Sequence, residues 1–132
     1  MSYGVASALQ EAVFTALSGD VSITVPVYDA LPAGVLPETY VILGSEEVTT
    51  KGDSAGAGAQ HDFTVSVVST APGFATAKGV GVAVSDLLLG ASLSLSRGSL
   101  AGLWLRKASA RRVNGGTTRQ IDLRFRALTD DF

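Results

Sequence analysis

Between His61 and Ser69 the chain alternates, with Phe63, Val65 and Val67 on one side and Asp62, Thr64 and Ser66 on the other. A period of two, rich in β-branched residues, predicts a half-buried strand. Thr70-Ala71-Pro72-Gly73 breaks it. The period then changes, because Phe74, Ala77, Gly81, Val84 and Leu88 recur at offsets of three or four and share one helical face. Gly90 stands where a helix stop belongs. A strand feeding directly into an amphipathic helix gives one face of a sheet its cover.

The same two periods recur along the rest of the chain. Gly4–Leu17 reads as a helix with Val5, Leu9, Ala12, Val13, Ala16 and Leu17 as its apolar face, stopped by Gly19. Ile23–Tyr28 has strand composition, but Pro26 cannot donate to a ladder and confines it to an edge or an irregular segment. Asp29–Glu38, with Pro32, Gly34 and Pro37, is a loop that re-aims the chain. Thr39–Thr50 is a second strand, apolar on both faces at Tyr40–Leu43 and polar from Ser45 onward, so its far end is expected to project beyond the sheet. Lys51–Gln60 holds no large apolar residue and reads as a mobile hairpin tip.

Toward the C-terminus, Leu93 and Leu95 alternate with serines in a short predicted strand, Ala91–Ser99, with Arg97-Gly98 as a turn. Leu100–Val113 and Thr117–Leu128 flank Asn114-Gly115-Gly116, a hairpin signal because such turns need positive φ. In the last strand Ile121, Leu123, Phe125 and Ala127 face one way, and Gln120, Asp122, Arg124 and Arg126 the other. Trp104 and Phe125 sit in the apolar pattern and read as core, and residues 129–132 as a frayed tail. The predicted fold class is α+β. A single-layer, mostly antiparallel sheet of four or five strands carries two helices packed on one face, all in one domain over 1–132.

Charge adds an asymmetry. Residues 1–96 hold nine of the twelve acids against Lys51 and Lys78, a formal −7, while residues 97–132 set eight bases against three acids, +5. Such a division marks either a nucleic-acid face or two complementary surfaces for stacking on neighbours. A solvated Arg-rich hairpin is the plainer alternative. With 46% hydrophobic and 17% charged residues, the composition argues against global disorder. No stretch approaches the roughly 20 apolar residues of a membrane span, and the N-terminus lacks a signal-peptide pattern. A soluble, non-secreted protein with no membrane partner is expected.

The chemistry-bearing residues form no catalytic set. Without cysteine there are no disulfides, thiolate ligands or Cys nucleophiles. The lone His61 reads as a surface or hydrogen-bonded structural residue, and no usual zinc or calcium spacing occurs. Glu46 and Glu47, as consecutive strand residues, point to opposite faces and cannot share acid/base work. Gly52, Gly56 and Gly58 lie between strands and lack a following Gly-Lys-Ser/Thr, so they are no phosphate cradle. No enzyme activity, cofactor or metal is expected. The candidate interface consists of Glu46, Glu47, Lys51 and Asp53 around the hairpin tip, with the basic set Arg106, Lys107, Arg111, Arg112, Arg119, Arg124 and Arg126. These cations suit non-specific contact with nucleic acid.

In order, the chain resembles the tail terminator (tail-completion) proteins of long-tailed phages and gene transfer agents, over roughly residues 3 to 128. The resemblance rests on Leu9-Gln10-Glu11-Ala12, on Val27-Tyr28-Asp29-Ala30-Leu31-Pro32 as a Tyr-Asp-x-x-Pro entry to the sheet, and on Tyr40-Val41-Ile42-Leu43-Gly44. His61-Asp62-Phe63-Thr64-Val65, Gly73-Phe74-Ala75-Thr76-Ala77-Lys78 and Ile121-Asp122-Leu123-Arg124-Phe125-Arg126-Ala127 complete it. It implies a homo-oligomeric ring, typically a hexamer, that caps the tail tube, ends polymerisation and joins tail to neck. The implied partners are the major tail tube protein and a neck or stopper protein, with non-specific contact to DNA in the channel. The implied location is the tail–neck junction of a virion or phage-like particle assembled in the host cytoplasm. No active residue carries over. On this reading residues 46–60 meet a tail or neck neighbour, and Arg111, Arg112 and Arg119 face the lumen or the adjoining ring. A neck or head-completion protein and a nucleic-acid-binding module are the alternatives.

Overall fold

The computed structural model describes residues 3–50 and 58–131. Helix α1 (Ala6–Gly19) leads through the edge strand β1 (Val27–Tyr28) to β2 (Thr39–Thr50), followed by β3 (Ala59–Ser69) and α2 (Ala75–Gly90). The hairpin β4 (Ser99–Val113) and β5 (Thr118–Asp130) closes the order. The strands lie side by side as β1-β2-β3-β5-β4. Only β1 and β2 run parallel, and the other pairs are antiparallel. This is the predicted α+β architecture, an open five-stranded sheet with two helices.

Both helices cover the same face. Leu9, Val13 and Leu17 of α1 and Ala77, Val84 and Leu88 of α2 form one buried cluster with Val41, Val65 and Val67 of the sheet. Ile121, Leu123, Phe125 and Ala127 of β5 complete it. The register explains the selection: Phe63, Val65 and Val67 stand opposite Phe125, Leu123 and Ile121. Odd-numbered residues of both central strands therefore face the helices, and even-numbered ones face away. Apolar burial on that one face is the main driving force for the fold.

Strand β2 changes phase half-way. Leu43 pairs with Val65 and Glu46 with Phe63, so Gly44 and Ser45 together oppose Thr64 in a β-bulge. Before it the odd residues of β2 face the helices, and after it the even ones do. Two further irregularities interrupt β4, at Ala101 and at Arg106.

Several boundaries differ from the sequence reading. Strand β1 keeps only two residues of Ile23–Tyr28, because Pro26 offers β2 a carbonyl (Val41 N–H to O, 2.9 Å) and no N–H. No strand forms over residues 91–98; Leu93 and Leu95 are instead half-buried against the core. Ala59 and Gln60 belong to β3, and Lys51 and Asp53 lie outside the described residues. At the other end β5 continues to Asp130, and Arg97 donates two hydrogen bonds to the Asp131 carboxylate (3.0 and 2.8 Å). The Asn114-Gly115-Gly116 turn has positive φ throughout (52°, 68° and 93°), as the hairpin signal requires.

One glycine fixes how the hairpin begins. Gly98 has φ +70°, and a Cβ there would meet the Asp130 carbonyl oxygen and Val5 Cγ2. Gly98→Ala should cost on the order of 1–3 kcal/mol, from left-handed strain plus a clash with backbone. Gly79→Ala, where a Cβ would meet nothing within 4 Å inside α2, should instead stabilise by about 0.5–1 kcal/mol. Urea unfolding of the two variants beside the wild type reads both effects.

Candidate functional site

The uncovered face of the sheet gathers most of the described residues of the predicted interface. Its rows follow from the strand register. Trp104 stands beside Arg126, then Asp62, then Glu47; Lys107 stands beside Arg124, then Thr64. In the next row Ser109 precedes Asp122, Ser66 and Ile42. Arg126 donates to both oxygens of Asp62 (2.8 and 3.4 Å), to which Gln60 adds a third bond. These donors, Arg126 foremost, hold the Asp62 carboxyl below the usual carboxylate range against the opposing effect of burial. Burial by itself would raise the Asp122 carboxyl, but Gln120 (2.9 Å), Ser66 (2.7 Å) and Arg111 (3.4 Å) outweigh it and lower the pKa.

Three cations remain outside these pairs. Arg106, Lys107 and Arg124 form no ion pair among the described residues. Lys107 and Arg124 are directly opposed across β4 and β5. Like charges in that position destabilise a sheet. Of the three, Arg106 is near enough to Asp62 to help lower its pKa. With Ser45, Glu47 and Asp62 these side chains border a shallow depression of about 400 Å³.

The remaining predicted residues face elsewhere. Arg112 and Arg119 are opposite one another on the helix side, where Arg112 lies over the Phe74 ring (5.4 Å to its centroid). Arg119 donates to the Ala71 carbonyl (3.3 Å), while its Nε is buried without a hydrogen bond. Arg111 points the other way, so the expected trio Arg111, Arg112 and Arg119 does not share a face. Trp104, expected in the core, is 48% exposed on the open face. The irregularity at Ala101 is what turns it there, since the residues on either side pair one position out of step.

The two glutamates separate as predicted, with the bulge setting which goes inward. Glu46 points to the helix side, where its Oε2 lies 3.9 Å from His61 Nδ1. His61 is fully buried and its Nε2 meets Thr129 Oγ1 at 3.0 Å, while Nδ1 has no hydrogen bond. Burial lowers the His61 pKa, with the Asp62 charge acting in the opposite sense, and burial raises that of Glu46. Both groups are thereby driven toward their neutral forms. His61 is thus a hydrogen-bonded structural residue, one of the two roles its sequence context suggested. Among the described residues no group of three or more His, Cys, Asp or Glu side chains is placed to hold a metal ion. No described helix is long and apolar enough to cross a membrane. Asp62 and Asp122 organise the open face yet were not singled out in the sequence. Their positions on the polar side of two alternating strands are visible there, but their partners follow only from the register.

The chain can be set beside known proteins. Residues 11–130 match the family described as "Tail completion protein gp17". The chain belongs to the tail completion protein family. This tail completion protein is also 53% identical to a chain in a solved structure described as the virion of a native gene transfer agent particle. The match has a TM-score of 0.92 and covers 98% of this chain and 99% of that one. No curated protein matches it. A structural tail-completion role follows from the family.

Proposed function

We propose that this tail completion protein forms a ring on the end of the tail tube of a phage-like particle. There it ends tube polymerisation and presents the surface that joins the tail to the head-side neck. The observation that carries this reading is the identity of 53%, over nearly the full length of both chains, with a component of a gene transfer agent virion. The family description over residues 11–130 supports it. Its partners are further copies of itself, the tube protein and a neck protein. Any contact with DNA passing through the channel is made to phosphates, by cations such as Arg124.

Deletion of the gene in a producing strain tests this, with tail length read by electron microscopy. Overlong or ragged tubes without heads are expected. Tails of normal length lacking heads would replace the reading with a neck protein, and intact headed particles would overturn it.

A further inference from the structure

We infer that, in the ring proposed above, the basic edge formed by β4 of one copy docks against the acidic segments flanking β1 of the next. The strand order places β1 and β4 at opposite ends of the sheet. At one end β4 is a 15-residue edge strand with Trp104 and Leu105 exposed. Beside them stand Arg106 and Lys107, which have no ion pair among the described residues. At the other end, the segments on either side of β1 expose Val21 (94%), Val35 (99%) and Leu31 (47%). Asp20, Asp29 and Glu38 lie in those segments, and none of them forms an ion pair among the described residues.

Both edges thus carry apolar side chains among charges of a single sign, and the signs are opposite. Isolated exposed apolar residues are ordinary. A matched pair of such surfaces on opposite edges is the arrangement that head-to-tail association requires, because unlike faces give a heterologous contact, which forms a ring when its rotation closes. Strand addition is not the mode of contact. Two irregularities and several cations blunt β4, and β1 is two residues long and preceded by Pro26. The contact is made by side chains, with Trp104 and Leu105 against Leu31 and Val35, and with Arg106 and Lys107 facing Asp29 and Glu38. Aromatic anchors ringed by complementary charge are the usual centre of such interfaces.

The chain contains no cysteine, so introduced thiols report without background. Particles would be prepared carrying V35C and L105C on the same chain and treated with a short bis-maleimide. A ladder of cross-linked multimers is expected, with no dimer from either single variant. Particles with normal tails but no ladder would overturn the docking while leaving the ring function standing. Dimers from a single-cysteine variant would overturn it in favour of a symmetric contact.

Charge exchange gives a second, independent reading. R106E/K107E and D29K/E38K should each lower particle yield about tenfold or more, and the combination should restore most of it. A combined variant as poor as either parent would overturn the pairing. Failure of the ring function itself appears separately, as intact headed particles after gene deletion.

Discussion

Phe125→Ala is expected to cost about 3–5 kcal/mol, the largest loss from any single truncation in this protein. Phe125 is the largest side chain that is wholly buried. It stands in β5 between Phe63 of β3 and Leu105 of β4, with its ring stacked on Phe63 at 5.5 Å and 20°. Cutting it to alanine removes the apolar transfer, the stacking contact and the filler of a space that strands on both sides cannot close. A domain of this size has roughly 5–15 kcal/mol of stability to lose. The melting midpoint should fall on the order of 10–20 °C. Leu105→Ala, at the half-exposed edge of the same row, should cost about 1 kcal/mol. Thermal unfolding of both variants by circular dichroism distinguishes a graded row from a uniform one.

Stability should also fall between pH 7.5 and pH 5.5, with His61 as the cause. Burial lowers its folded pKa, so on acidification the unfolded chain takes up the proton first. Stability is therefore full above the ordinary histidine value of about 6.5. It declines as the pH drops from there toward the lower folded value. One proton bound only by the unfolded state gives a slope of at most about 1.4 kcal/mol per pH unit. Glu46 acts with the opposite sign. Its folded pKa is raised, so its contribution is present below its ordinary value and is lost as pH rises through the raised one. Asp62 and Asp122, whose pKa values are lowered, lose their stabilising effect only further into acid. His61→Gln should flatten the slope between pH 7.5 and 5.5 in urea unfolding. An unchanged slope in His61→Gln would remove His61 from the explanation.

Where one periodicity ran unbroken, the sequence and the structure agree residue by residue. Strands β3 and β5 each keep a strict alternation, so the inward set Ile121, Leu123, Phe125 and Ala127 is the one found buried. Helix α2 likewise buries Ala77, Gly81, Val84 and Leu88. One feature that failed to show in the sequence is the slip of register at Ala101, which turns Trp104 outward. Beyond the irregularities of β4 plain alternation divides its basic residues, placing Lys107 and Arg111 outside and Arg112 against Phe74. No one-dimensional pattern announces such a slip. The Leu-Ser alternation of residues 93–96 mimics a strand, yet only one side of a covering segment has to be apolar for that pattern to arise. The sequence leaves His61 either on the surface or structural, because the hydrogen-bond partner that decides it, Thr129, is 68 positions away.

The bulge at Gly44 and Ser45 divides β2 into two lengths that count separately. Because side chains alternate strictly, one residue gained or lost within either length exchanges the sides of the residues beyond it, unless that residue is the extra one of the bulge. Loss of Ser45 alone would remove the bulge, leaving Gly44 opposite Thr64 and Glu46 still opposite Phe63 on the helix side. A change of one residue within this strand is therefore absorbed without exchanging faces only at the bulge, and related chains that differ by one residue here should differ at Gly44 and Ser45.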